Sequence, residues 1–103
     1  MSTGRLGAAD LSAATNTSLY VVPTGVVTSF NVSFCNRGIG WVSVRLSLSA
    51  SATPLASEYL EYDAQVPPNG MLERGGLIAA AGTVIVVRSS DPLVNAVVWG
   101  VEE

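Results

Sequence analysis

Three carboxylates that fall close together are the side chains with the most chemical potential in this chain. Glu58, Glu61 and Asp63 form its densest acidic cluster. Successive strand residues alternate between faces, so Glu61 and Asp63 would share one face of a strand. Such a carboxylate pair can bind Ca²⁺ weakly or divide acid and base roles between its members. The more ordinary outcome, which we expect here, is solvated strand residues that pair with arginine.

Other kinds of catalytic chemistry lack the residues they need. The chain has no histidine and no lysine, which excludes a Ser–His–Asp triad and its lysine variants. Cys35 is the only cysteine, and a catalytic thiol would need an activator such as histidine. Gly38-Ile39-Gly40 lies between predicted strands with no helix after it, so it predicts a hairpin and not a phosphate-binding loop. We therefore predict a protein that is not an enzyme and has no metal or cofactor.

Aromatic and arginine side chains are the remaining candidates, and they suit contact better than reaction. Trp41 and Tyr59 are predicted to point outward by register. We predict that Phe30, Phe34 and Tyr62 lie in the core. Outward aromatics can stack on a sugar or pack in a protein interface, where Trp, Tyr and Arg are enriched. We favour the interface, and a carbohydrate platform is the alternative. The candidate interface residues are Arg37, Trp41, Arg45, Tyr59 and Trp99.

The elements that would position these side chains are β-strands. Phe30, Val32 and Phe34 alternate with polar residues, and this period of two predicts a strand with one dry and one polar face. Residues 84–87 are apolar on both sides, which predicts a central strand covered on both faces. Turn-forming residues recur at the spacing of an all-β domain. The predicted strands cover residues 18–22, 26–36, 41–50, 58–64, 71–74, 83–89 and 96–102.

These strands predict an all-β fold, an antiparallel two-sheet β-sandwich of about seven strands, with a jelly-roll-like arrangement as one option. Two segments leave alternatives open. Gly75 and Gly76 end the strand at 71–74, which could resume at Leu77, and residues 79–82 could form one helical turn. Residues 1–15 are predicted to be either a flexible lead-in or an arm that docks on a neighbouring subunit. The sandwich domain is then residues 16–103.

The composition indicates a protein that is covered by other proteins. Charged residues make up 13% of the chain, about half the usual share. The net charge of −3 without a lysine cluster does not suit nucleic acid, and no apolar run is long enough to span a membrane. No signal-peptide pattern is present, so we expect the chain to stay in the cytoplasm where it is made. Because sparse charge promotes association, we predict a homo-oligomer or a permanent place in a larger assembly.

Short motifs spread along the chain carry a resemblance to a known group of proteins. Through them, residues 16–103 resemble small virion structural proteins of tailed bacteriophages, which occur as single chains or as repeated modules. The motifs are Asn16-Thr17, Leu19-Tyr20, Val22-Pro23-Thr24-Gly25, the segment 31–38, the segment 58–63, Pro67-Pro68-Asn69-Gly70 and Leu72-Glu73-Arg74.

The resemblance implies a β-sandwich that belongs to the virion and acts by contact alone. Such proteins decorate the capsid as cement, or they belong to the tail, the baseplate or a fibre attachment. The short single-domain form favours capsid decoration, by a homo-oligomer such as a trimer that clamps major capsid subunits. No catalytic residue is implied.

Overall fold

The computed structural model describes residues 3–103, in which eight β-strands and one 3₁₀ turn, Ala56–Glu58, account for the regular structure. The strands are β1 (Thr3–Leu11), β2 (Thr17–Val21), β3 (Thr28–Asn36), β4 (Val42–Ser49), β5 (Tyr59–Val66), β6 (Met71–Ala79), β7 (Val84–Ser89) and β8 (Val94–Glu102).

The eight strands pair like one long hairpin that has been rolled up. β1 pairs with β8, β2 with β7, β3 with β6 and β4 with β5, and every pair is antiparallel. Alternate pairs go to opposite sheets. The first sheet has the order β1-β8-β3-β6, and the second has the order β2-β7-β4-β5. This is the jelly-roll arrangement of two four-stranded sheets. The predicted antiparallel sandwich is therefore confirmed, with eight strands in place of seven.

β1 is the strand that the sequence did not predict. The expectation that residues 1–15 lie outside the sandwich is wrong for Thr3–Leu11, which pairs with β8 along its length. Leu11 is buried in the core. Residues 1 and 2 lie outside the described residues. Small side chains such as those of Gly7 and Ala8 have low β-propensity, so this strand forms because β8 offers it a backbone partner.

The predicted core face of β3 and the predicted burial of both faces of β7 are confirmed. Phe30, Val32 and Phe34 are at most 1% exposed. All four residues from Val84 to Val87 are buried, as expected for a strand that lies between β2 and β4. The core cluster consists of Leu11, Leu19, Val22, Phe30, Val32, Phe34, Val42, Val44, Leu46, Val66, Ala79, Ile85, Val87, Val94, Ala96 and Val98.

β6 continues through its two glycines because they form a bulge. Asn31 of β3 stands opposite both Gly75 and Gly76, where the register between the strands shifts. The Asn31 Oδ1 accepts a hydrogen bond from the Gly76 N–H at 3.3 Å. Gly76 has a φ of 69°, which a residue without a side chain adopts easily. Residues 79–82 do not form the helical turn that was one option: Ala79 ends β6, and a tight turn follows in which the Thr83 N–H donates to the Ala80 carbonyl.

A buried carboxylate joins the two sheets at one end of the sandwich. Glu102 of β8 is 1% exposed and accepts hydrogen bonds from the hydroxyls of Thr28 and Tyr20. Thr28 lies in the first sheet beside Glu102, whereas Tyr20 reaches it from the second sheet. Burial and the neighbouring Glu102 carboxylate raise the pKa of Tyr20 to about 12. The phenol therefore stays protonated and remains a donor well above neutral pH.

A buried amide organises the opposite end. The Asn36 Nδ2 donates to the carbonyl oxygens of Gly40 at 2.8 Å, Pro67 at 3.1 Å and Val66 at 3.3 Å. Its Oδ1 accepts from the Gly38 N–H at 2.9 Å. The segment between β3 and β4 is thereby tied to the turn between β5 and β6. The hairpin predicted at residues 38–40 is wrong, because β3 and β4 lie in different sheets and do not pair.

Candidate functional site

The three clustered acids, Glu58, Glu61 and Asp63, have different partners and do not form one site. The Glu58 carboxylate fixes the loop before β5, because it accepts from the Leu55 N–H at 2.7 Å, the Ser49 hydroxyl at 3.0 Å and the Ala50 N–H at 3.1 Å. The bond from Leu55 contributes most to holding the pKa of Glu58 below its usual range. Glu58 therefore has a local structural task.

Glu61 and Asp63 do not share a face, contrary to the sequence prediction. The register between β4 and β5 shifts twice, and Asp63 has a φ of 55°, as a bulge residue can. Glu61 pairs with Arg74 at 2.8 Å, and Asp63 pairs with Arg45 at 2.7 Å. The expected pairing with arginine is confirmed. Residues 3–103 contain no group of acids and cysteine that could hold a metal ion.

The same shifts overturn the assignment of Tyr62 to the core. Strict alternation would place Tyr59 and Tyr62 on opposite faces, but the bulges bring both to the outer face of the second sheet. Their ring centroids are 4.9 Å apart with the planes at 82°, an edge-to-face contact. Tyr62 is 60% exposed. A hollow of about 520 Å³, the tyrosine hollow, is lined by Ala56, Tyr59 and Tyr62.

Arg45 connects these rings to a charged site. Its guanidinium carbon lies 4.1 Å from the ring centroid of Tyr62, within the range of a cation–π contact. Its Nε and Nη2 atoms donate to the two carboxylate oxygens of Asp63 at 2.7 and 3.3 Å. The Arg45 guanidinium is the main reason that the pKa of Asp63 is lowered from its usual value.

Arg88 brings a second cation to the same place. It stands directly opposite Arg45 in the pairing of β4 with β7. Its charge also helps to lower the pKa of Asp63, after the stronger effect of Arg45. An open cleft of about 280 Å³, the arginine cleft, is lined by Ala14, Ser43, Arg45, Asp63, Arg88 and Ser90.

The five residues predicted as an interface lie in three separate places. Arg45 and Tyr59 belong to the arginine cleft and the tyrosine hollow. Arg37 and Trp41 are the first and last residues of the connection from β3 to β4. Arg37 pairs with Asp10 at 2.9 Å, and Trp41 is 62% exposed. Trp41 lies directly before the first residue of β4, and Tyr59 of β5 pairs with Ser47 near the other end of β4. The two positions are therefore about 20 Å apart at the usual rise per strand residue. They cannot form one sugar platform together.

Trp99 lies on the other side of the sandwich, on the outer face of the first sheet. It stands between Arg5 of β1 and Asn31 of β3. The outward residues of the two central strands, β8 and β3, include no charged side chain: they are Asn95, Val97, Trp99, Val101, Ser29, Asn31, Ser33 and Cys35. On the flanking strand β6, Ile78 is 67% exposed and Met71 is 56% exposed. We call this surface the first-sheet face.

Sequence reasoning missed Tyr62 and Arg88 as members of the outward site. The position of Tyr62 depends on two bulges that leave no pattern in a single sequence. Arg88 follows an apolar run and becomes the neighbour of Arg45 only through the pairing of β4 with β7. The one available signal was an arginine in each of two predicted strands, 41–50 and 83–89.

No protein-family model matches the chain, and neither does any curated protein. Within residues 3–103, no helix has the length and hydropathy to cross a membrane.

Proposed function

We propose that this chain is a structural protein of a tailed-bacteriophage virion, and that it decorates the capsid as a cement protein. Two arguments support the class. The motifs across residues 16–103 resemble small virion proteins, and the jelly roll is an architecture that viral capsid domains use. The second argument is an analogy of fold. The observation that supports this function in particular must therefore come from the surface of the sandwich.

The observation that carries the proposal is the first-sheet face. Val97, Trp99 and Val101 point outward from β8, and the charged residues on this face, Arg5, Asp10 and Glu73, all lie on the edge strands β1 and β6. The centre of the second sheet, in contrast, presents Arg45 and Arg88. A sheet face whose two central strands carry no outward charge suits burial by protein.

The proposed occupants are protein subunits of the particle. Permanent interfaces are larger and more apolar than transient ones, and Trp99 is the kind of central aromatic residue on which binding energy concentrates. The chain would form a homo-oligomer, a trimer being one arrangement, and would hold major capsid subunits together. It would reach the virion from the cytoplasm without acting on nucleic acid, a membrane or a cofactor.

Particle stability tests this proposal. Phage particles lacking the protein should lose resistance to heat and osmotic shock, and added wild-type protein should restore it. The Val101→Asp variant should fail to bind and restore, because it places a charge on the first-sheet face. Val21→Asp is the matched control, since Val21 is a similarly exposed strand valine on the second sheet. Particles that keep full resistance without the protein would overturn the cement role.

The location of the chain on the particle separates capsid decoration from the alternative of a tail, baseplate or fibre-attachment component. Gold-labelled antibody should mark the whole shell for a decoration protein and one end of the particle for the alternatives. The carbohydrate-binding alternative uses a different surface, because the sequence-based platform of Trp41 and Tyr59 does not form.

A further inference from the structure

We propose that the arginine cleft and the tyrosine hollow together form a binding site for an acidic saccharide, one whose sugar rings carry carboxylates. The inference begins with a pair of like charges. Arg45 and Arg88 stand directly opposite each other on neighbouring strands, an arrangement that normally destabilises a sheet. Asp63 is the one carboxylate among the residues that line the cleft with them.

Asp63 compensates only one of the two cations. It holds Arg45 through both carboxylate oxygens. Arg88 takes part in none of the ion pairs found within residues 3–103, all of which use other arginines. The cleft thus carries one surplus positive charge in a chain whose net charge is −3. A ligand carboxylate would supply the second anion that the two arginines lack, and a planar guanidinium suits it.

Hydroxyl groups in the cleft add donors beside Arg88. The Ser43 Oγ accepts from the Gln65 amide at 2.8 Å, and the Ser90 Oγ accepts from the Ser43 N–H at 3.0 Å. Across residues 3–103, neither hydroxyl donates a hydrogen bond of its own. Both O–H groups are therefore free to donate to an incoming oxygen.

Tyr62 makes the cleft and the hollow one continuous surface. It lines the tyrosine hollow and contacts Arg45, which lines the arginine cleft. Tyr59 is in register with Ser47, two residues beyond Arg45, so the hollow begins about 7 Å along β4 from the cleft. A sugar ring has an apolar C–H face and a rim of hydroxyls, which match an aromatic hollow and a hydrogen-bonding cleft.

The place of the site in the sheet favours a saccharide over an acidic peptide. Extended peptides usually bind by adding a strand to a sheet edge. The arginine cleft lies over β4 and β7, the two central strands, whose backbone groups already pair with neighbours on both sides. A ligand here can use side chains alone. Side-chain rings, hydroxyls and guanidinium groups are what a sugar acid needs.

Calorimetric titration of the full chain at physiological salt tests the proposal, with a galacturonic acid trimer and a neutral galactose trimer as probes. We expect the acidic trimer to bind at least tenfold more tightly. Arg88→Gln and Tyr62→Ala should each weaken binding at least tenfold, and Arg88→Lys should retain part of it. Arg5→Gln, an exposed arginine on the first sheet, is the matched control and should bind like wild type. Thermal unfolding checks that each variant is folded.

Four outcomes would overturn the proposal. Equal binding of the two trimers would show that charge is not used. Binding that survives Arg88→Gln would place the ligand elsewhere. Binding of a glutamate-rich peptide with none of either trimer would assign the site to a protein partner, and no binding of any probe would reject it as well. The virion proposal is independent, because the first-sheet face lies on the opposite side of the sandwich.

Discussion

Arg74 of β6 donates from Nη1 to Oε2 of Glu61 on β5, at 2.8 Å. β6 is an edge strand of the first sheet and β5 is an edge strand of the second. Both side chains stand in register with buried residues, Val32 and Leu46, and so they turn toward the space between the sheets. The ion pair closes one open side of the sandwich.

Glu61→Gln should lower the free energy of unfolding by about 1 kcal/mol, the upper part of the range for partly exposed pairs. The two side chains are 42% and 20% exposed, so water screens the pair incompletely. Asp10→Asn is the control, since it breaks the more exposed pair with Arg37 and should cost almost nothing. Urea denaturation measures both variants. Equal losses would contradict a closing role for Arg74 and Glu61.

Asn36→Ala should destabilise the protein by about 2–3 kcal/mol, because it removes the hydrogen bonds that a buried side chain makes with the backbone. Those with the Gly38 N–H and the carbonyl of Val66 are among them. Asn95→Ala, on the outer face of β8, should change stability by less than about 0.5 kcal/mol. Denaturation curves compare the two. A loss at Asn36 no greater than at Asn95 would refute the organising role of this amide.

Alkaline pH should weaken the contact between the two sheets that the Tyr20 hydroxyl makes with Glu102. The pKa of Tyr20 is raised to about 12 in the folded protein, from 10 in the unfolded chain. The stabilisation that the protonated Tyr20 phenol gives the folded state is fully present below pH 10. It is lost as the pH rises toward 12, because the unfolded state releases the phenol proton first. The free energy of unfolding should fall across this window. In Tyr20→Phe the fall should be smaller, and an unchanged fall would place its cause elsewhere.

Acid should loosen the loop at residues 50–58. The pKa of Glu58 is lowered by its hydrogen bonds, first by that from Leu55. The stabilisation is present above the ordinary glutamate pKa and is lost as the pH falls through the lower value in the folded state. Glu58→Gln should speed hydrogen exchange at the Ala50 and Leu55 amides at neutral pH. Glu73→Gln, an exposed residue of β6, should leave both rates unchanged; acceleration in both variants would argue against the capping contact.

The parts of the fold that could be predicted are those in which local pattern and final register agree. β3 pairs with β8 from Thr28 to Asn36 without any shift, so Phe30 and Phe34 lie where strict alternation puts them. β5 meets β4 with two shifts, and there alternation gives the wrong face for Tyr62. A bulge depends on the partner strand, which the sequence of β5 alone does not contain.

The candidate site could be predicted only in part, for a related reason. Arg45 and Tyr59 were recognised because each is a suitable contact residue on a predicted strand. Arg88 lies beside Arg45 only because β4 and β7 are neighbouring strands. That pairing follows from the jelly-roll order of all eight strands. β1 was missed because its glycines and alanines are uninformative until β8 is in place.

A cryo-electron microscopy reconstruction of the phage particle that carries this chain tests the central proposal most directly. We expect the sandwich on the capsid with its first-sheet face, at Ile78, Trp99 and Val101, packed against another subunit. A reconstruction in which this face meets solvent in every copy would contradict it.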